Sequence, residues 1–276
     1  SIMPPQPDID RNHAFVDYVE GIYVGYRYYE TRWIDNLTGA CDEAAYQAAV
    51  QYPFGYGMSY TEFTQEITDF TTDDKTITVD VTVTNTGDVA GKDVVQLYYT
   101  APYTVGGIEK SHVVLNAFDK TGILEPGASE TVTLTMNVED MASYDYKDAK
   151  AYVLEAGDYE IKLMNNSHDV IDSRTYTVDE TVVYGEDNKR DSDQIAATNQ
   201  FDDVTYGDPN VKYVSRADWE GTLPTERTPD REAAAELIEK LNYDGVVDDP
   251  DEEPIVIKDN GIKFEDMKGV PYDDPK

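Results

Sequence analysis

Three histidines, one cysteine and many carboxylates are the side chains that could carry chemistry in this chain. His13, His112 and His168 stand far apart, without HExxH or paired-ligand spacing, so neither a zinc site nor a Ser-His-Asp arrangement is expected. Cys41 is the single cysteine, which excludes an intrachain disulfide and a cysteine metal cluster. A lone thiol is more often an ordinary buried residue than a nucleophile. The sequence therefore predicts no metal and no cofactor.

Carboxylates are far more abundant than basic groups. The 276 residues contain 56 Asp and Glu against 22 Lys and Arg, a formal charge of −34. Paired carboxylates can run acid–base chemistry, but among so many acids no pair is singled out by its spacing. The charge favours solubility and disfavours nucleic acid and anionic membrane surfaces as partners. The sequence contains neither a P-loop nor a GxGxxG run, so no nucleotide site is predicted.

Targeting and membrane signals are weak throughout. No apolar run approaches the ~20 residues that span a bilayer. Residues 1–5 lack the basic start and apolar core of a signal peptide. A single thiol fits a reducing compartment only weakly, so cytoplasmic and secreted locations both stay open.

The sequence divides into three regions that differ in composition and hydrophobic periodicity, and these regions must position the side chains named above. Residues 1–65 hold nine of the 22 tyrosines and show little periodicity, apart from a short helix predicted over 43–50. Residues 66–178 alternate between apolar and polar positions. Residues 179–276 are acidic and loop-rich, with one helix predicted over 229–241 behind an N-cap at Thr228. We interpret this last region as an extended arm that wraps a partner surface.

The middle region predicts an antiparallel β-sandwich. Ile77, Val79, Val81 and Val83 alternate with polar residues, the pattern of a half-buried strand, and a turn follows at 85–88. Short strands at such spacing, with turns and no helices between them, are typical of an immunoglobulin-like sandwich. The other predicted strands cover Val94–Tyr99, Val113–Phe118, Val132–Val138, Tyr152–Leu154, Tyr159–Leu163 and Tyr176–Val178. The chain is therefore predicted to be mainly β.

Two aromatic–glycine runs stand out in the first region: EGIYVGYRYYE at 20–30 and YPFGYGMSYT at 52–61. Glycines between aromatic residues let the backbone approach closely while rings pack on both sides. Such residues could form a sugar-stacking wall, but their types favour an interdomain hinge packed with rings. The candidate residues for this domain junction are Tyr26, Arg27, Tyr28, Phe54, Gly55, Tyr56, Gly57 and Tyr60.

These runs also resemble a family. They are similar to the end of the second domain of family 3 glycoside hydrolases, the β-glucosidase and β-xylosidase group. The stretches VTVTNTGDVAGKDVVQLYYTAPY and LEAGDYEIKL then resemble that family's fibronectin type III-like domain, and the resemblance covers about 15–178 in the family's order. Residues 263–276 are similar to the segment that leads into the barrel in members with swapped domain order.

The resemblance implies a structural role for this chain. Family members are retaining glycosidases with an aspartate nucleophile on a (β/α)8 barrel and, typically, a glutamate acid/base on the α/β-sandwich domain, ~5–5.5 Å apart. Neither group is expected here, and Glu20 and Glu30 belong to the motif but not to the catalytic set. The chain is thus expected to be a fragment, or one chain of a nicked enzyme, that braces the catalytic domains.

The implied layout has three parts. Residues 1–65 would be the end of the α/β-sandwich domain, 66–178 the fibronectin type III-like domain, and 179–276 the arm towards the barrel. The implied partners are the remaining domains of the same enzyme, with β-linked oligosaccharide bound through the parent. Aromatic surface without its parent domain also predicts self-association of the free chain.

Two other functions stay open at this point. The sandwich could be a carbohydrate-binding or adhesion module that holds polysaccharide on exposed Tyr98, Tyr99 and Tyr103. Alternatively, the acidic run at 248–253 could make the chain a calcium-binding module.

Overall fold

The structure is a computed structural model that describes residues 18–198 and 212–220, together with the single residues Lys263 and Lys268. The helix predicted over 229–241 and the acidic run at 248–253 lie outside the described residues. Within the described ranges, no helix is long and apolar enough to cross a membrane.

Two main antiparallel sheets form the body of the molecule, as predicted for a β-sandwich. The first has the order β1-β2-β5, and its strands are β1 (Phe63–Thr72), β2 (Thr76–Asn85) and β5 (Ser129–Asn137). The second has the order β4-β3-β8-β9, and its strands are β3 (Val94–Thr100), β4 (Val114–Lys120), β8 (Gly157–Met164) and β9 (Val170–Val178). A 3₁₀ turn, Val138–Met141, follows β5. The predicted mainly β fold is confirmed.

A small third sheet packs against the same core, to which it contributes the buried Leu154. It has the order β10-β7-β6, and its strands are β6 (Ser143–Asp145), β7 (Ala151–Leu154) and β10 (Val182–Tyr184). β6 and β10 were not predicted from the sequence, because three-residue strands show too little alternation to detect. The ten-residue β1 was not predicted either, because Ile67 is its one buried residue and its alternation is weak.

The core lies between the two main sheets. Ile77, Val79, Val81 and Val83 of β2 are completely buried, whereas the intervening polar positions are only partly buried. In the register of β2 with β5, Val81 lies opposite Val132, so apolar residues meet across the pair. The alternation in the sequence thus corresponds to one face packed on the core.

Strand β3 departs from this alternation because both of its faces are buried. Val95 and Leu97 point into the core between the sheets, and both are completely buried. On the opposite face, Gln96 and Tyr98 are only 7% and 0% exposed. The sequence predicts one buried face, so a second layer must cover the outer side of this sheet.

That layer is the aromatic segment, residues 18–60. It contains two seven-residue helices, α1 (Tyr26–Arg32) and α2 (Glu43–Ala49). The predicted helix over 43–50 is confirmed as α2, whose N-cap Asp42 accepts a hydrogen bond from the Ala45 amide at 3.2 Å. Residues 212–220 return to the same place, where the Val214 amide donates to the Val19 carbonyl at 2.8 Å.

Candidate functional site: the junction

We call the contact surface between the four-stranded sheet and residues 18–60 and 212–220 the junction. Its centre is a stack of rings. Tyr26 stacks on Phe54 with ring centroids 4.5 Å apart and meets Tyr98 edge-on at 6.4 Å. The Tyr26 hydroxyl also accepts a hydrogen bond from the Leu115 amide at 3.0 Å. The two aromatic–glycine runs therefore meet each other on strands β3 and β4.

Gly55 provides the closest backbone approach in the junction. Its φ of +80° lies in the left-handed region, and an added Cβ would lie 2.3 Å from Gln96 Oε1. Gln96 Nε2 donates to the carbonyls of Gly55 and Asn165 at 3.2 and 2.9 Å, and Gln96 Oε1 accepts from the Tyr98 hydroxyl at 2.9 Å. Only glycine fits here without displacing Gln96.

The other predicted junction residues occupy different environments. Tyr28 is buried and packs edge-on against Trp219, with centroids 5.6 Å apart, and Arg27 is half-buried near Tyr99. Tyr56 packs on Tyr52 at the surface. Gly57 has nothing within 4 Å of a Cβ position, and Tyr60 is fully exposed. The structure brings Tyr26, Phe54 and Gly55 together on the sheet, and it does not bring Gly57 and Tyr60 there.

A buried carboxylate, Glu30, ties α1 to α2 and to the β8–β9 turn. Its oxygens accept from the Tyr46 hydroxyl at 2.6 Å and the Ser167 hydroxyl at 2.7 Å, and they lie 2.9 Å from His168 Nδ1. The other ring nitrogen of His168 lies 3.1 Å from a carboxylate oxygen of Glu43. The hydrogen bond to Glu30, with that to Glu43, raises the pKa of His168 to about 9. The cluster holds a positive imidazolium between two carboxylates.

A second buried carboxylate, Glu109, secures the returning residues 212–220. It accepts from the Tyr23 hydroxyl at 2.6 Å, the Ser215 hydroxyl at 2.6 Å and the Arg216 amide at 3.0 Å. The Arg216 guanidinium donates to Asn36 Oδ1 at 2.7 Å and lies over the Tyr103 ring. Burial, reinforced by Glu109, raises the pKa of Tyr23. One carboxylate thus joins three segments of the chain.

Two further titratable groups lie nearly buried beside this network. The Lys110 ammonium pairs with Glu155 and donates to the Pro102 carbonyl at 2.8 Å, and burial lowers its pKa despite the pairing. Burial, helped by the nearby charges of Lys162 and Arg216, lowers the pKa of His112 to about 3. His112 is therefore neutral near pH 7.

The chemistry of the junction is structural. Within residues 18–198 and 212–220, the buried carboxylates Glu30 and Glu109 are occupied by protein donors, including hydroxyls and a backbone amide. Carboxylates held in this way join segments of chain rather than activate a water molecule. The sequence did not reveal them, since their partners lie between 16 and 138 positions away. The local signal of the junction was the pair of runs in which glycines stand between aromatic residues.

The predicted tyrosine platform for polysaccharide is wrong. Tyr98 and Tyr99 are 0% and 7% exposed, because one lies under the aromatic segment and the other in the sandwich core. Tyr103 is half-buried, with the Arg216 guanidinium 4.3 Å from its ring centre. These three residues therefore do not form a flat exposed row.

Comparisons with known proteins match this architecture. The family model for the fibronectin type III-like domain matches residues 93–167. β-Glucosidase A of Butyrivibrio fibrisolvens is 40% identical over 187 residues, covering 60% of this chain and 21% of that protein. An exo-α-(1→6)-L-arabinopyranosidase of Bifidobacterium breve is 37% identical over 183 residues, covering 62% and 22%.

Two solved structures of β-glucosidases match a similar share of the chain. A β-glucosidase from Paenibacillus barengoltzii is 38% identical with a TM-score of 0.53, covering 62% of this chain and 18% of its own. A β-glucosidase from Kluyveromyces marxianus in complex with glucose is 33% identical with a TM-score of 0.52, covering 60% and 18%.

The two-sheet sandwich is thus a fibronectin type III-like domain. More particularly, the matched stretch resembles the fibronectin type III-like portion of β-glucosidases. The chain spans about a fifth of the length of the relatives named here.

Proposed function

We propose that this chain is the non-catalytic structural portion of an enzyme that hydrolyses terminal β-glycosides with retention, as a β-glucosidase does. The junction carries the proposal. One face of the domain's four-stranded sheet is completed by an aromatic segment, and buried polar groups hold that segment in place. A sandwich fixed to the aromatic segment in this way can hold the domain that is attached to that segment in a defined position.

The outer side of the aromatic segment supports a neighbouring domain as the partner. Tyr52, Met58 and Tyr60 are 63%, 89% and 100% exposed, and Leu37 is 89% exposed. Large apolar side chains exposed together on one segment mark protein contact surfaces. We assign this surface to the barrel and α/β-sandwich domains of the same enzyme, with β-linked oligosaccharide bound through them.

The domain layout belongs to the same proposal. Residues 1–65 are the end of the α/β-sandwich domain, 66–178 the fibronectin type III-like domain, and 179–276 an arm towards the barrel. The packing of residues 212–220 against Tyr23 and Tyr28 supports an arm that folds back on the junction. The strands extend slightly past these bounds, since β1 begins at Phe63 and β10 ends at Tyr184.

The similarity of this portion to its relatives does not identify the sugar that the parent enzyme recognises. The named relatives include both β-glucosidases and an arabinopyranosidase, at similar identity. Buried carboxylates such as Glu30 and Glu109 are hydrogen-bonded to other segments of the chain, so they do not identify the sugar.

An assay of the purified chain on an aryl β-glucoside tests the proposal. We expect no turnover, because the catalytic carboxylates belong to other domains. Turnover that disappears when a carboxylate within residues 1–276 is replaced would overturn it. In parallel, a pulldown on insoluble glucans tests the binding-module alternative, and we expect no retention because Tyr98 and Tyr99 are buried.

A further inference from the structure

We propose that Cys41, Glu43 and His168 form a binding site for a zinc-type divalent cation that fastens the aromatic segment to the sandwich. The thiol sulfur, a carboxylate oxygen and a ring nitrogen of these residues all lie within 4.8 Å of one another. This inference is independent of the proposed function. It also departs from the sequence-based expectation of no metal, which relied on spacing along the chain.

The three ligands come from two elements that the fold brings together. Cys41 and Glu43 flank Asp42, the N-cap of α2. The backbone of Cys41 is held by an isolated antiparallel β-bridge to Ile34. His168 lies in the turn between β8 and β9, 125 positions beyond Glu43. A bound cation would therefore link α2 to the four-stranded sheet.

The donor set selects the class of cation. One thiolate, one imidazole and one carboxylate suit zinc and its neighbours in the transition series, whereas calcium and magnesium prefer oxygen alone. Zinc bonds of about 2.0–2.1 Å to nitrogen and oxygen put those two atoms roughly 3.3 Å apart in a tetrahedron. His168 Nε2 and Glu43 Oε2 are already 3.1 Å apart. Glu43 is exposed, which lets water reach a fourth position.

The outer groups also suit a metal site. Glu30, only 5% exposed, lies 2.9 Å from His168 Nδ1 and leaves Nε2 to point at Cys41 and Glu43. A carboxylate on the distal ring nitrogen is the usual arrangement that orients a histidine ligand and increases its basicity. Tyr46 stacks on the imidazole at 3.9 Å, with an angle of 9° between the planes, and holds the ring flat.

Binding follows a simple proton balance. The metal-bound forms of these ligands are a thiolate and a neutral imidazole. The cation forms bonds to sulfur, Nε2 and the Glu43 oxygen, and the thiol and Nε2 each release one proton to solvent.

Cobalt(II) titration of the full chain, stripped of metal and kept reduced, tests the site. We expect one ion per chain, a thiolate-to-cobalt charge-transfer band, intense visible bands of four-coordinate cobalt, and loss of both when zinc is added. Cys41→Ser should abolish the charge-transfer band. Glu43→Gln should weaken binding by roughly tenfold or more, since losing even an outer partner has that effect. The matched control Glu62→Gln, an exposed acid outside the cluster, should bind as the unmodified chain does.

Several results would overturn the proposal. One is the absence of the charge-transfer band while Cys41 still reacts with a thiol reagent. Another is binding that neither Cys41→Ser nor Glu43→Gln changes, which would assign the ion to other carboxylates. If Cys41→Ser does not fold, zinc X-ray absorption on the unmodified chain decides the matter, because a sulfur neighbour at about 2.3 Å is required.

Discussion

Replacing Gly55 with alanine should loosen the junction while leaving the sandwich folded. The new Cβ would lie 2.3 Å from Gln96 Oε1 and 3.1 Å from the Tyr98 hydroxyl. A left-handed conformation costs a non-glycine residue about 1–2 kcal/mol. Displacing Gln96 also breaks its hydrogen bonds to two carbonyls and to the buried Tyr98 hydroxyl, at about 0.5–1.5 kcal/mol each. Since some bonds re-form with water, we expect a total loss of about 2–4 kcal/mol.

Gly57→Ala is the matched control from the same motif. A Cβ there meets nothing within 4 Å, and its φ is outside the left-handed region, so we expect at most about 0.5 kcal/mol. The two tryptophans of the chain, Trp33 and Trp219, both lie in the junction and report on it by fluorescence during urea unfolding. Far-ultraviolet circular dichroism follows the sandwich separately. Equal fluorescence midpoints for the two variants would refute the argument.

Three further predictions concern charge, pH and association. Glu155→Gln should destabilise the chain by about 1–3 kcal/mol in urea unfolding, because it leaves the buried Lys110 ammonium without its carboxylate partner. Lys110→Met should destabilise it less, because no buried charge remains. The reverse order of the two losses would contradict this. The pKa of His112 is lowered from 6.5 to about 3, so its contribution to stability is complete above pH 6.5 and is lost as the pH falls towards 3. Between pH 7 and pH 5 this amounts to about 1–2 kcal/mol, and His112→Gln should flatten that part of the stability curve; an unchanged slope would exclude His112 as its source. Exposed Met58 and Tyr60 should drive self-association of the free chain, so the double change to serine should lower the mass measured by light scattering, and an already monomeric chain would contradict this.

Strand alternation was predictable because a half-buried strand records its environment in neighbouring residues. In β2, apolar residues at every second position from Ile77 to Val83 indicate which face is buried. The turn at 85–88 was predictable from its residue types, Asn, Thr, Gly and Asp, which favour turns. In β3 the signal was ambiguous, since Tyr98 looks like an exposed aromatic residue unless the covering segment is known.

The polar junction could not be predicted in this way. Glu30 and Glu109 look like any of the 56 acidic residues until the fold brings their partners to them. Arg216 reaches Asn36 across 180 positions, and no local pattern links the two. Periodicity describes which face of an element is buried, but it does not identify the group on the other side.

Burial of β3 on both faces has a consequence for how this domain can be inherited or engineered. An independent module buries its own apolar residues without help from neighbouring segments, so it can be moved between proteins. Here the outer face of β3, with Tyr98 and Gln96, is covered by residues 18–60 in the part of the chain that the structure describes. The sandwich and the aromatic segment therefore form one unit of exchange, and a graft cut at the start of β1 would transfer an unfinished sheet.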